Sequence, residues 1–223
     1  MRAKYILLGI AAIIAVNGCG GAVTARGIAQ VRAISAVSTP GLIDVFTDFN
    51  LVAVGLQNGG GGGYSSQTAD LLSLGVRQTG TTTTIATGNL NAGVDNKYTV
   101  IPHQTGSSTV GIIALADDAA TPGTTKFMFR FVHVDRNTDE VDVYFLNPDQ
   151  EPADGTPIIT NLDFQDATGY LELAAGTQKQ IVLTEAGTTN VIGDPILLTP
   201  ATGSKRTFML FNNGGPAVNI YSD

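Results

Sequence analysis

The stretch KFMFRFVHVDRNTDEVDVYF, residues 126–145, reads as strand, polar turn, strand. Phe127, Phe129 and Phe131 alternate before the turn, and Val141, Val143 and Phe145 alternate after it. Successive side chains of a strand point to opposite faces, so this alternation predicts two half-buried strands. The same plan occurs upstream in AQVRAISAVSTPGLIDVFT, residues 29–47. Arg32 and Asp44 keep the separation of Arg130 and Asp142, while Val45 matches Val143 and Phe46 matches Tyr144. One strand–turn–strand unit used twice predicts two similar β-domains.

The chain around these units agrees. From residue 28 to residue 223 apolar runs are short and are broken by Gly, Pro, Asn and Asp, and the charged fraction of the whole chain is only 14%. Short strands at near-regular spacing predict sandwiches or barrels. A first domain over 28–124 is expected to place strands at 29–37, 42–46, 50–56, 80–86, 97–102 and 109–116. A second, over 125–223, is expected to place them at 126–134, 140–146, 156–162, 169–173, 179–185, 196–199 and 206–211, with a last edge at 217–221. Residues 117–125, DDAATPGTT, form a short linker, so the domains should touch. Asn58 precedes five glycines, which predict a mobile loop because glycine loses most backbone freedom on ordering. A phosphate-cradling reading of that loop fails, since no Lys-Ser or Lys-Thr follows. Residues 68–74 allow a helical turn or a further short strand. AAGT at 174–177 and EAGTT at 185–189 both read as hairpin turns, and the apolar run 196–198 as a strand buried on both faces.

The N-terminus reads as an address. Arg2 and Lys4 precede an apolar run of eleven residues, 6–16, too short for a membrane helix of roughly 20 residues. Val16-Asn17-Gly18-Cys19 then resembles the lipobox of bacterial lipoproteins. That resemblance implies removal of residues 1–18, lipid on Cys19, and a tether over 19–27. The alternative is an ordinary secretory peptide cleaved nearby. Cys19 is the only cysteine, so no internal disulfide forms. Gly20 stands where Asp would favour inner-membrane retention, which points to the outer membrane, on its periplasmic or surface face. Without Arg2 and Lys4 the mature chain carries 10 basic and 19 acidic residues, a net charge near −9. Such a balance disfavours nucleic acid and anionic lipid surfaces as partners.

The second unit carries Arg130-Phe131-Val132-His133-Val134-Asp135, then Val141-Asp142-Val143-Tyr144, then Tyr170-Leu171-Glu172-Leu173-Ala174-Ala175-Gly176-Thr177. The first carries Val31-Arg32-Ala33-Ile34-Ser35-Ala36 and Ile43-Asp44-Val45-Phe46. These motifs resemble those of the bacterial domain family DUF4397. Ser35 departs from the family's histidine. The resemblance implies paired immunoglobulin-like β-sandwiches on secreted or surface proteins, and no established activity.

Chemistry is sparse. There are two histidines, His103 and His133, and neither has a Gly-x-Ser-x-Gly nucleophile near it in sequence. One cysteine and two histidines do not make a structural zinc site, and no cofactor motif is present. Asp135, Asp139 and Glu140 crowd one turn and are the calcium candidates, although turn carboxylates more often cap backbone N–H groups. No Trp is present, which disfavours a flat aromatic sugar platform. The repeated spacing makes Arg130 with Asp142, and Arg32 with Asp44, candidate structural pairs. The alternative is that each side chain separately bonds loop backbone groups. The reading is a non-catalytic envelope lipoprotein that presents a binding or structural β-sandwich module to a protein or polysaccharide. The alternative is an envelope hydrolase whose site lacks a known motif.

Overall fold

The computed structural model describes residues 26–48 and 50–223. The signal sequence and Cys19 lie outside the described residues. The first sandwich packs the sheet β3(Asn50–Leu56)-β2(Ile43–Thr47)-β5(Leu71–Gln78)-β6(Thr84–Asn91) against β4(Ser65–Thr68)-β1(Ile28–Ala33)-β7(Lys97–Gln104)-β8(Val110–Ala116). The second packs β11(Ile159–Leu162)-β10(Val141–Leu146)-β13(Lys179–Glu185)-β14(Val191–Leu198) against β12(Leu171–Ala174)-β9(Lys126–His133)-β15(Lys205–Asn212)-β16(Pro216–Ser222). The two strand orders are identical. Each has one parallel pair, β1 with β7 and β9 with β15.

Alternation builds the cores. Phe127, Phe129 and Phe131 point inward from β9 and meet Val141, Val143 and Phe208. Ala29, Val31 and Ala33 do the same from β1 against Val45 and Val76. The opposite faces of β1, β7, β9 and β15 are covered as well. Ile34, Ala36 and Ile101 of the first sandwich pack on Val132, Val134, Met209 and Phe211 of the second. The β1/β7 and β9/β15 sheets therefore meet back to back, and the molecule has four β-layers with three apolar seams.

Several expectations are corrected. Residues 65–78 form β4 and β5, where the sequence reading had at most one short element. The strand placed at 80–86 runs instead as β6 over Thr84–Asn91. Residues 174–177 are no hairpin: β12 and β13 belong to different sheets, and Gly176 (φ 91°) turns the chain across the sandwich. The turn at 185–189 does close the β13–β14 hairpin. The run 196–198 lies on an edge strand with Leu197 exposed.

The glycine run is packed. Gly59 N–H donates to Ser35 O, Ser35 N–H to Gly60 O, and Gly62 N–H to Ala33 O. From the second sandwich, Asn219 and Tyr221 donate to Gly59 O at 2.8 Å each. Gly59 has φ 73°, and a Cβ there would stand 2.6 Å from the Phe211 ring. Gln165 makes the equivalent turn in the second sandwich, also at φ 73°, with its N–H on His133 O. Its side chain bonds the His103 ring across the interface at 2.9 Å. Phe211 thus needs a glycine opposite it, while the smaller His103 admits a glutamine.

Candidate functional site

The polar chemistry of the described residues concentrates between the sandwiches. Arg130 leaves β9 on the face away from Phe129 and Phe131. Its Nε donates to Thr207 Oγ1 at 2.9 Å, its Nη1 to Ala116 O at 2.9 Å, and its Nη2 to Asp117. Arg32 of β1 mirrors it, donating to Thr99 Oγ1 at 2.8 Å, to Ser222 O and to Asp223. Each arginine therefore pairs with the aspartate that follows the last strand of the other sandwich.

Further bonds complete both carboxylates. Asp117 accepts from Tyr64 and Thr99, each at 2.7 Å. Asp223 accepts from Tyr170 at 2.8 Å and Thr207 at 2.9 Å. The Arg32 and Arg130 guanidinium groups lie 4.9 Å from the Tyr64 and Tyr170 ring centroids. The four charged side chains are at most 5% exposed. Burial, then the bond to Asp117, raises the Tyr64 phenol above its ordinary range; burial is also the main cause at Tyr170. Both phenols stay neutral donors. Two cations and two anions, fully hydrogen-bonded, are the condition under which buried charge is tolerated.

The expected pairs Arg32–Asp44 and Arg130–Asp142 do not form. Val141 and Val143 face the core, so Asp142 projects from the far side of its sandwich, and Arg130 projects from the near side. A sandwich core about 10 Å thick separates them. Asp142 accepts the N–H groups of Asn161 at 2.8 Å and Gly187 at 2.9 Å. Asp44 accepts from Gly55 N–H at 3.0 Å, the Thr79 hydroxyl at 2.7 Å and Arg77 at 3.2 Å. Gly55 and Asn161 both have positive φ, at β-bulges beside β2 and β10. The repeated aspartate holds that bulge in each sandwich. Burial pushes the Asp44 carboxyl up, but the Thr79, Gly55 and Arg77 bonds outweigh it and leave it below its usual range.

Of the calcium candidates only the Asp135 carboxylate is held by its own turn; Asp139 and Glu140 are bonded through their backbone carbonyls, with exposed side chains. Asp135 is fully buried and accepts Asn137 N–H at 3.0 Å and the Thr138 hydroxyl at 2.8 Å. Asp139 O bonds the His133 ring at 3.1 Å, and Glu140 O accepts Ala186 N–H. Among the described residues no three His, Cys, Asp or Glu side chains are grouped to hold an ion. Asp139 and Glu140 instead join Asp163 and Glu185 around an open acidic concavity of about 780 Å³ at one end of the second sandwich.

Both histidines are buried, and both pack edge-on against Phe164. The ring nitrogens of His103 meet Ile101 O at 3.2 Å and Gln165. His133 donates to Asp139 O. Neither ring bonds a hydroxyl among the described residues. Burial lowers both imidazole pKa values, against smaller opposing contributions from backbone bonds and, at His133, from Asp135, Asp163 and Asp166.

Sequence reading missed Asp117, Asp223, Thr99, Thr207, Tyr64 and Tyr170. The signal available was that Asp117 and Asp223 each close the last strand of their unit.

The chain is thus an all-β protein of two like sandwiches locked back to back by a reciprocal charge network. It belongs to the family of domains of unknown function DUF4397. The family model matches residues 29–144, just over half the chain, which takes in the first copy of the strand–turn–strand unit and all but the last residue of the second. No curated protein matches it. A similar solved structure is the carbohydrate-binding module CBMbc (family CBM26) from Eubacterium rectale Amy13K in complex with maltoheptaose. It is 12% identical, with a TM-score of 0.27, over 88% of this chain and 97% of that one.

Proposed function

We propose that the chain is a non-catalytic binding module of the bacterial cell envelope, held by lipid on Cys19 at the outer membrane. It presents its two sandwiches as one rigid body to an envelope protein or polysaccharide. The observation that carries this reading is the pair of reciprocal buried bridges, Arg32–Asp223 and Arg130–Asp117, which fix the sandwiches relative to each other. A fixed geometry across two sandwiches serves recognition over an extended surface, because little ordering is left to do on binding. The histidines support the same reading, since a Ser–His mechanism needs an accessible imidazole beside a hydroxyl, and these two are buried on backbone and amide groups.

The anchor rests on the N-terminal sequence. An apolar run followed by Val16-Asn17-Gly18-Cys19 matches a lipid-modified signal. Two or more acyl chains hold a protein stably where one does not.

The test has two parts. Membranes from cells making the wild type and Cys19→Ala are fractionated; the wild type should sediment with outer membrane and the variant should be soluble. The lipidated protein is then crosslinked in its native envelope and its captured partners identified. Equal sedimentation of the variant would remove the anchor, and turnover of an envelope substrate by the purified chain would replace the binding reading with an enzyme.

A further inference from the structure

We infer that the cleft beside Arg136, where the sandwiches meet, binds the carboxylate of an acidic sugar. This rests on the proposed function, of which it specifies the polysaccharide partner. The cleft has a volume of about 210 Å³. Arg136, Asn137 and Asn212 line it from the second sandwich, Thr39 and Ser107 from the first, with Ala36 and Val134 as apolar wall.

Its charge runs against the rest of the molecule. The chain has 19 acidic residues against 12 basic, yet no carboxylate lines this cleft. The other arginines around the sandwich interface, Arg32 and Arg130, are committed to buried bridges. Arg136 makes no ion pair among the described residues and is exposed. Its guanidinium is available for two parallel bonds to a carboxylate.

The walls are held in place beforehand. Asp135 accepts Asn137 N–H and the Thr138 hydroxyl, which fixes the turn that carries Arg136. Gln104, nearly buried, accepts from Ser38 N–H and hydroxyl and donates to Thr39 O and Ser107 O. It ties together the two loops of the opposite wall. The reciprocal bridges then fix one wall against the other.

The donor set selects the ligand class. Beside Arg136 the cleft offers the hydroxyls of Thr39 and Ser107 and the amides of Asn137 and Asn212, of which Asn212 Oδ1 already accepts Gly214 N–H. A uronic acid brings a carboxylate for Arg136 and ring hydroxyls for those groups.

The full-length protein in detergent micelles is titrated calorimetrically with pentagalacturonate, maltopentaose and hexaglutamate. Saturable binding of pentagalacturonate alone is expected. Arg136→Gln should weaken it roughly tenfold or more, the loss of one charged hydrogen-bonding partner, and Arg206→Gln, a charge-matched control outside the cleft, should not. Arg136 is exposed and unpaired, so the melting temperature should stay unchanged. Absence of pentagalacturonate binding overturns the proposal, as does binding that Arg136→Gln leaves intact. Equal or tighter binding of hexaglutamate replaces the sugar with an acidic protein segment, and binding of maltopentaose alone removes the carboxylate. Envelope capture of a different partner would stand through any of these results.

Discussion

Arg130, in the first strand of the second sandwich, donates to Asp117, the residue that closes the last strand of the first, and both side chains are at most 3% exposed. Removing either partner leaves a buried charge without its counter-ion. Arg130→Met or Asp117→Asn should each destabilise the protein by about 3–5 kcal/mol. The double variant should lose less than the sum of the two, read as urea midpoints in a double-mutant cycle. Additive losses would mean that the two groups are stabilised independently.

The interface should make the two sandwiches one cooperative unit. Ile34, Ile101, Val132, Met209 and Phe211 would be exposed if they parted, and two arginines would lose their carboxylates. A protease site placed in residues 118–124 and cut in the folded protein should leave the halves associated on gel filtration. Calorimetry of the uncut chain should show a single transition. Two resolved transitions, or halves that separate after cleavage, would contradict this.

Gly59 is the position where the interface is tightest. Alanine there must adopt φ 73° and set its Cβ 2.6 Å from the Phe211 ring. The left-handed backbone and the overpacking together should cost about 2–4 kcal/mol. Pairing Gly59→Ala with Phe211→His, the residue that the pseudo-symmetry places opposite Gln165, should recover part of that loss. No recovery would show that the left-handed backbone and the contact with Asn219 Nδ2, 2.8 Å from the same Cβ, set the cost and not the Phe211 ring.

Stability should fall on mild acidification. Burial keeps the folded pKa values of His103 and His133 below the ordinary 6.5. As pH drops through 6.5 the unfolded chain binds protons that the folded chain refuses, so the contribution is complete above that pH and is lost below it. The slope is positive through that window and cannot exceed one proton per histidine. Urea midpoints at pH 7.5, 6.0 and 5.0 measure it, and His103→Gln with His133→Gln should flatten the profile. A midpoint constant over that range would mean both rings titrate as they do in the unfolded chain.

The β-architecture and the doubling of the unit were legible in the alternation of Phe127, Phe129 and Phe131 and in the two Arg–Asp spacings. Periodicity reports which way a side chain leaves its strand, and that is a local property. It marked Arg130 as pointing away from the phenylalanines. It carried no information on what lies on that side, because the partner, Asp117, is brought there by the packing of one sandwich on the other. Equal spacing in the two units made Asp142 the natural partner for Arg130, yet those residues leave opposite faces of one sandwich. The glycine run has the same lesson in reverse. Its composition reads as slack, since composition measures the entropy lost on ordering and not the contacts that offset it. Phe211, Asn219 and Tyr221 supply those contacts from the other sandwich. Strand content and the repeat were decided by the sequence through short-range backbone and side-chain preferences. The ion pairs, the ordered glycine loop and the cleft beside Arg136 were decided by the tertiary structure, because each joins groups that only the back-to-back packing of the two sheets brings within reach.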